Sequence, residues 1–360
     1  MFKQALIFIF FLFSANFGTA QTKKVVIVDS LSRQPISNVS IFNPITKEGV
    51  VTNTEGATLL KEGKIFIVSH VSYYKETIPY SMLKDTILLK PRIISLNELV
   101  IYSSTFNLKK LFKNIYRNHK DLYITGSYVF KCHFEESVKI DENLTRLSSS
   151  ELKLYCQNYE SDVNKSYTDQ DYIELLNVNY AKNLHMGDFN VEKNAFFKHF
   201  HINFIAFVYY RKLKNLEILL EERYKNIIRI KFTGNIKAKK QIGEIHYDVN
   251  TMAIVRIVHS TQYKELGSWH TIELSFNECQ NNKYCPNFFK LERSAIKEDK
   301  VVTFNKELTI LQTQKEVISE GTHTSIEEQN IIKRIYSSGD VEDINSKIIL
   351  TEKKRQFLEK

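Results

Sequence analysis

At 360 residues the chain is long enough for two domains, each with its own core. Its formal net charge of +9 comes from 50 Lys and Arg scattered among 41 Asp and Glu, which excludes the clustered basic stripe of a nucleic-acid reader. Past Gln21 no apolar run approaches the length of a membrane-spanning helix.

The first 20 residues read as a cleavable signal peptide. Lys3 supplies the positive start, Ala5 to Phe13 form an unbroken apolar run too short to span a bilayer, and Gly18-Thr19-Ala20 is a small-x-small cleavage site. The expectation is an exported protein, periplasmic or associated with the outer membrane. No Cys follows the cleavage site to carry a lipid anchor.

Residues 21–103 read as short β-branched strands separated by turn signals, the pattern of a β-sandwich. The runs are Val25 to Asp29, Val39 to Asn43, Gly49 to Asn53, Lys64 to Val71, Thr86 to Lys90 and Glu98 to Tyr102. Four pieces carry a resemblance: Val28-Asp29, Pro35-Ile36-Ser37-Asn38-Val39-Ser40-Ile41, Thr52-Asn53-Thr54-Glu55-Gly56-Ala57, and Ser72-Tyr73. With the closing run Leu96 to Ile101 the stretch resembles the carboxypeptidase regulatory-like domain. Asn53 stands where that family has Asp, and Ser72 where it has Gly. The resemblance implies a seven-stranded immunoglobulin- or prealbumin-like sandwich and a non-catalytic role.

Residues 104–123 switch to helical spacing, with Leu108, Leu111, Phe112 and Ile115 on one face and Ser104 or Thr105 as the expected cap. This linking helix divides the sandwich from residues 124–360, which read as an antiparallel β-meander domain. Ser127 to Glu136 and Ser149 to Gln157 form a long pair around the turn at Asp141 to Thr145. Residues 158–198 are polar, Asn-rich and expected to be irregular, and 199–213 read as an apolar helix. Seven further runs follow to Leu311; Gly243 to Asp248 alternates polar and apolar, the mark of a strand with one wet face. The helix end Asn114 to His119, the strand Gly243 to Asp248 and the tail Ile344 to Thr351 resemble the C-terminal part of envelope proteins that follow a regulatory-like domain. That resemblance implies a large curved sheet similar to the half-barrel of lipoprotein carriers.

Candidate chemistry is sparse. His133 and Glu136 have a zinc-pair spacing, but on a strand they point to opposite faces. His199 and His201 have no carboxylate or Cys nearby in sequence. Residues 202–210 are too few to span a membrane; they read as a plug over the sheet mouth, with an interfacial contact as the alternative. There is no Gly-x-Ser-x-Gly, no phosphate loop and no dinucleotide fingerprint. No catalytic, cofactor or metal residue is assigned, and a hydrolase would lack its site.

Export and an even cysteine count suggest disulfides. Cys279 and Cys285 flank the turn Asn281-Asn282-Lys283 and are expected to pair. Cys132 and Cys156 are a second expected pair across the 127–157 hairpin. The functional expectation is a non-catalytic envelope binding or scaffold protein, with a lipid or lipoprotein carrier as the alternative. The partner would be an envelope protein or an apolar ligand meeting the concave face of the meander, with Trp269 at the groove rim. Weak contact with an anionic membrane surface stays open.

Overall fold

The computed structural model describes residues 22–46, 48–70, 72–91, 107–156, 172–184, 196–197, 200, 214–224, 226–236, 239–263, 267–279, 282–315, 335–336, 341–342 and 352–359. The fold is mainly β. Seven short strands make two small sheets: β1 (Thr22–Asp29), β2 (Ser40–Asn43), β3 (Glu48–Val51), β4 (Ala57–Lys61), β5 (Ile65–Ser69), β6 (Glu76–Pro79) and β7 (Thr86–Leu89). One sheet has the order β4-β1-β7, with β1 parallel to β7; the other has the order β3-β2-β5-β6. Val25, Ile27, Val39, Ile41, Val68 and Leu89 from both sheets fill one core, as alternation along strands packed face to face requires.

The motif residues explain the turns. Thr52 Oγ1 accepts from the Val39 amide at 2.9 Å and donates to the Ile36 carbonyl at 2.8 Å, tying two turns together. Asn53 Oδ1 accepts the amides of Glu55 and Ala57, each at 2.9 Å, so an amide oxygen does here what an Asp carboxylate would do. The Tyr73 hydroxyl donates to Asp29 Oδ2 at 2.9 Å, joining the first and last motif pieces. Gly56 has φ +69, and a Cβ there would stand 2.4 Å from the Ile27 carbonyl oxygen, so the turn excludes any side chain.

Helix α1 (Leu108–Leu122) begins at Asn107, whose side chain accepts the Lys110 amide, rather than at Ser104 or Thr105, which lie outside the described residues. Its buried face is Leu108, Leu111, Phe112 and Ile115.

The remaining strands form one open sheet. They are β8 (Tyr128–Ile140), β9 (Asn143–Cys156), β10 (Tyr172–Asn183), β11 (Lys214–Tyr224), β12 (Ile227–Ile236), β13 (Lys239–Asp248), β14 (Ala253–Tyr263), β15 (Ser268–Glu278), β16 (Tyr284–Lys297), β17 (Lys300–Lys315) and the two-residue β18 (Val341–Glu342). The order is β11-β12-β13-β14-β15-β16-β17-β8-β9-β10-β18, antiparallel at every pairing. Strand β17 returns to pair with β8, so β8 and β9 sit inside the sheet rather than at its edge.

Within 158–198, strand β10 corrects the expectation of irregular structure for residues 172–183. Its pairing with β9 slips near Leu176 and Asn179, and each slip inverts the apolar alternation that marks a strand in sequence. Asn179 Nδ2 reaches the buried Ser149 Oγ at 3.1 Å, which accommodates the asparagine inside. A short helix α2 (Glu352–Glu359) packs beside β9 and β10, with Phe357 buried against Leu147 and Tyr180.

One large core lies on a single face of this sheet, here called the inner face. Helix α1 roofs part of it: Phe112 meets Phe232 edge-on at 5.8 Å, and Tyr123 at the helix end meets Phe276 at 5.0 Å. Phe196 and Phe200 cover Phe134, Phe130 and Phe289 from another side. The expected signal peptide, the run 98–102, the tail 344–351 and all of the 199–213 segment except Phe200 lie outside the described residues.

Candidate functional site

Cross-strand register sorts the inner face into rows. The first row runs Ile230, Ile245, Ile257, Leu274, Phe289, Leu308 and Phe134 across seven strands, and all of these are buried. This is the apolar stripe expected to line a groove. It belongs instead to the core of which α1 and the 196–200 aromatics are part. Two residues toward the hairpin tips, the second row reads Phe232, Gly243, His259, Ile272, Leu291, Lys306 and Glu136. The third row reads Gly234, Gln241, Thr261, His270, Arg293, Phe304, Val138 and, on β9, Arg146. Apolar gives way to polar within three rows, about 14 Å of strand at the usual rise per residue.

The charges at this end are unequal. Glu136 is fully buried and is held by Arg146 at 2.8 Å and Lys306 at 3.4 Å, with the Tyr336 hydroxyl donating to it at 3.2 Å. Burial pushes its carboxyl up, but Arg146 and Lys306 outweigh burial and hold it below the ordinary Glu range. The Arg146 guanidinium also lies 5.3 Å from the Tyr336 ring centre. Arg293 has no ion pair or hydrogen bond among the described residues, and it stands between His270 and Phe304 on the neighbouring strands. His270 Nδ1 is 3.2 Å from the Tyr263 hydroxyl, and Lys239 Nζ lies 4.4 Å over the Tyr263 ring. Solvent reaches Lys239, Tyr263, His270 and Arg293. Glu136 is the one acid facing inward at this end among the described strand residues.

The opposite, outer face is self-neutralising. Arg229 bridges Glu222 and Glu244 at 3.0 and 3.1 Å, and Arg256 bridges Glu244 and Glu273 at 3.0 and 2.8 Å. Lys290 pairs with Glu307 at 3.0 Å, and Glu307 also accepts from Asn38 of the sandwich at 3.2 Å. Lys354 of α2 pairs with Glu135, which accepts the Tyr180 hydroxyl as well. Burial raises the Glu244 carboxyl, yet His246 and Arg229 pull it far below the usual range.

The structure places each residue singled out in the sequence. Cys279 and Cys285 are bonded, with Cα atoms 5.8 Å apart. Their hairpin holds the end of α1: Lys283 Nζ donates to the Lys120 carbonyl at 2.6 Å, and the Ile124 amide donates to the Tyr284 carbonyl at 3.1 Å. Cys132 and Cys156 are not bonded, which corrects the expected second pair. The register sets Cys132 opposite Leu152 and Cys156 opposite Tyr128. Each Cys is thus four residues along its strand from the other's partner, about 13 Å at the rise of a strand. Trp269 is also corrected. It pairs with Gln262 and Ser294 on the outer face, alternating with the inward His270 and Ile272, so it rims no inner groove. His133 faces outward opposite Thr309 and Glu151, while Glu136 faces inward. His199 and His201 lie outside the described residues.

The reading of the sequence missed Arg293, Lys306 and Arg146, and it weighed Glu136 only as half of a zinc pair. The signal was present as charges inside otherwise apolar strands, but Glu292-Arg293 and Glu135-Glu136 each put one charge on either face. Only register says which is which.

No family model matches the chain, and no curated protein matches it. Among solved structures, one titled "The complex structure of Pseudomonas aeruginosa MucA/MucB" aligns over 58% of this chain and 100% of its own, at 8% identity and a TM-score of 0.18. A likeness that low carries no argument about this chain.

Proposed function

We propose that this chain is a non-catalytic binding protein of the bacterial cell envelope, and that the polar end of the inner face is where it binds. One observation carries the reading: on the inner face the apolar rows are packed into the core, while the row of Gln241, Thr261, His270 and Arg293 ends in groups that solvent reaches. A buried strand interior accepts an unpaired guanidinium only at a cost, so a half-exposed one at a core's border is a binding feature before it is a packing one. The outer face, whose charges already satisfy one another, offers less to a partner. The Cys279–Cys285 bond accords with an oxidising compartment and so with export. In this reading the sandwich, at residues 21–103, is a spacer or docking module. It touches the large sheet through Asn38 with Glu307, and through Gly49 set against Leu311.

The carrier alternative asked for an open apolar groove across β12 to β14, and the stripe there is core. Mass spectrometry under non-denaturing conditions, on chain exported into a bacterial envelope, tests the proposal. The expected result is a small molecule retained on the folded protein and released on unfolding. A spectrum of the bare chain alone, from envelope and from cytoplasmic preparations alike, would contradict it.

A further inference from the structure

Resting on the envelope placement proposed above, we infer that the exposed side of helix α1 docks on a bilayer rich in anionic lipid. The chain as a whole scatters its charges, but α1 gathers several of one sign. Lys109, Lys113 and Arg117 follow one another at i, i+4 and i+8, and all three are exposed, as is Lys110. At 100° per residue the four fall within roughly 100° of arc, opposite the buried Leu108, Leu111, Phe112 and Ile115. Their side chains have no ion pair or hydrogen bond among the described residues. Lys120 continues the row but holds a contact of its own, so it is not counted. Against the four stands Asp121, the one acid of the helix, which leaves a surplus of 4 − 1 = +3. Like charges at i, i+4 repel and cost the helix stability, and an acid at any of these positions would relieve that. The outer face of the sheet shows the relieved arrangement, where Arg229 and Arg256 each hold two carboxylates.

The row is also held still. The apolar face of α1 is locked in the core, the Tyr123 hydroxyl bonds both the carbonyl and the amide of Ile254, and Lys283 Nζ donates to the Lys120 carbonyl. From Lys109 to Arg117 the charges are therefore presented together along about 12 Å of rigid helix. Because the apolar face is already buried, the contact is electrostatic and lies at the level of the headgroups, without insertion. A protein partner would want an aromatic or apolar anchor at the centre of its footprint. The exposed aromatic here, Tyr116, stands at the border between the row and the buried face. That is where a ring settles beside lysine stems at a membrane surface.

The purified full chain is floated with vesicles of phosphatidylglycerol and, separately, of phosphatidylcholine. The inference predicts flotation with phosphatidylglycerol alone, reversed in about 1 M salt, where screening shrinks to about 3 Å. Phosphatidylcholine controls for insertion through the apolar run Ala5 to Phe13, which needs no anionic lipid. A cation at such a surface is worth about fivefold in binding, so the double variant Lys109→Gln with Lys113→Gln should weaken it about tenfold or more. Gln is a good helix former, and far-UV circular dichroism should show the fold kept. Lys75→Gln with Lys84→Gln removes the same charge from exposed positions of the sandwich and should leave binding within about twofold, which separates a docking surface from general attraction to a basic protein. Should the first double variant unfold, Lys110→Gln with Arg117→Gln takes its place and should show the same loss. Equal weakening by the helix and sandwich variants overturns the inference, as does failure to float. Retention on immobilised polyglutamate without flotation also overturns it and assigns an acidic protein instead. A small molecule retained on the exported chain, with no flotation, overturns the membrane contact while leaving the proposed binding role of the inner face in place.

Discussion

His259 sits on the inner face between Gly243 and Ile272, and burial holds its imidazole at about 4. The unfolded chain takes up its proton near 6.5, so the folded state is the one that resists protonation. Stability from this group is therefore full above the unfolded value and falls as pH drops toward 4. Denaturant unfolding at pH 7 and pH 5 should show the wild type losing about 2 kcal/mol more than His259→Gln. An equal loss in both would show that His259 is not held neutral. Glu136 has the opposite charge and the same direction of effect: its lowered carboxyl supports the fold until acid protonates it. Glu136→Ala removes the buried carboxylate that Arg146 and Lys306 share and is expected to cost about 3–5 kcal/mol in the same assay. Gly243 is a steric counterpart. A Cβ there would lie 2.2 Å from Phe232 Cζ, because the Phe232 ring lies across the glycine opposite it. Gly243→Ala should displace that ring and cost about 1–3 kcal/mol, read as a lower midpoint with an unchanged denaturant slope.

At the scale of elements, helix α1 and the 279–285 hairpin act as one unit. The Tyr123 hydroxyl donates to the Ile254 carbonyl and accepts the Ile254 amide, both at 2.8 Å, where the β13–β14 register slips and would otherwise leave both groups unpaired. Phe112→Ala is expected to cost about 3–5 kcal/mol by opening a cavity under the helix. Cys279→Ser should cost about 2 kcal/mol, the value for so short a loop, and should raise amide exchange at the end of α1 before the sandwich strands. Much of this architecture was legible in the sequence. Alternation gave the strands from 214 to 315, helical spacing gave α1, and the turn residues gave the disulfide. What was not legible depends on register. The sequence pattern does not say that β8 and β9 align Cys132 with Leu152, or that β10 slips twice, because side-chain period two looks the same at every even offset. The proposed binding face was hidden for the same reason, since Trp269 and His270 are neighbours in sequence and lie on opposite sides of the sheet.

For the whole molecule, the central claim is one of sidedness. The sandwich meets the outer face at β17 and α2 meets it at β8, while Arg293, without an ion pair among the described residues, faces inward. A photoreactive amino acid placed in turn at positions 270 and 271 samples the two sides of one strand, one residue apart. After irradiation of cells exporting the protein, the account predicts an adduct from position 270 and none from position 271. Adducts from position 271 alone would mean that the ladder face does the binding, and would contradict the account.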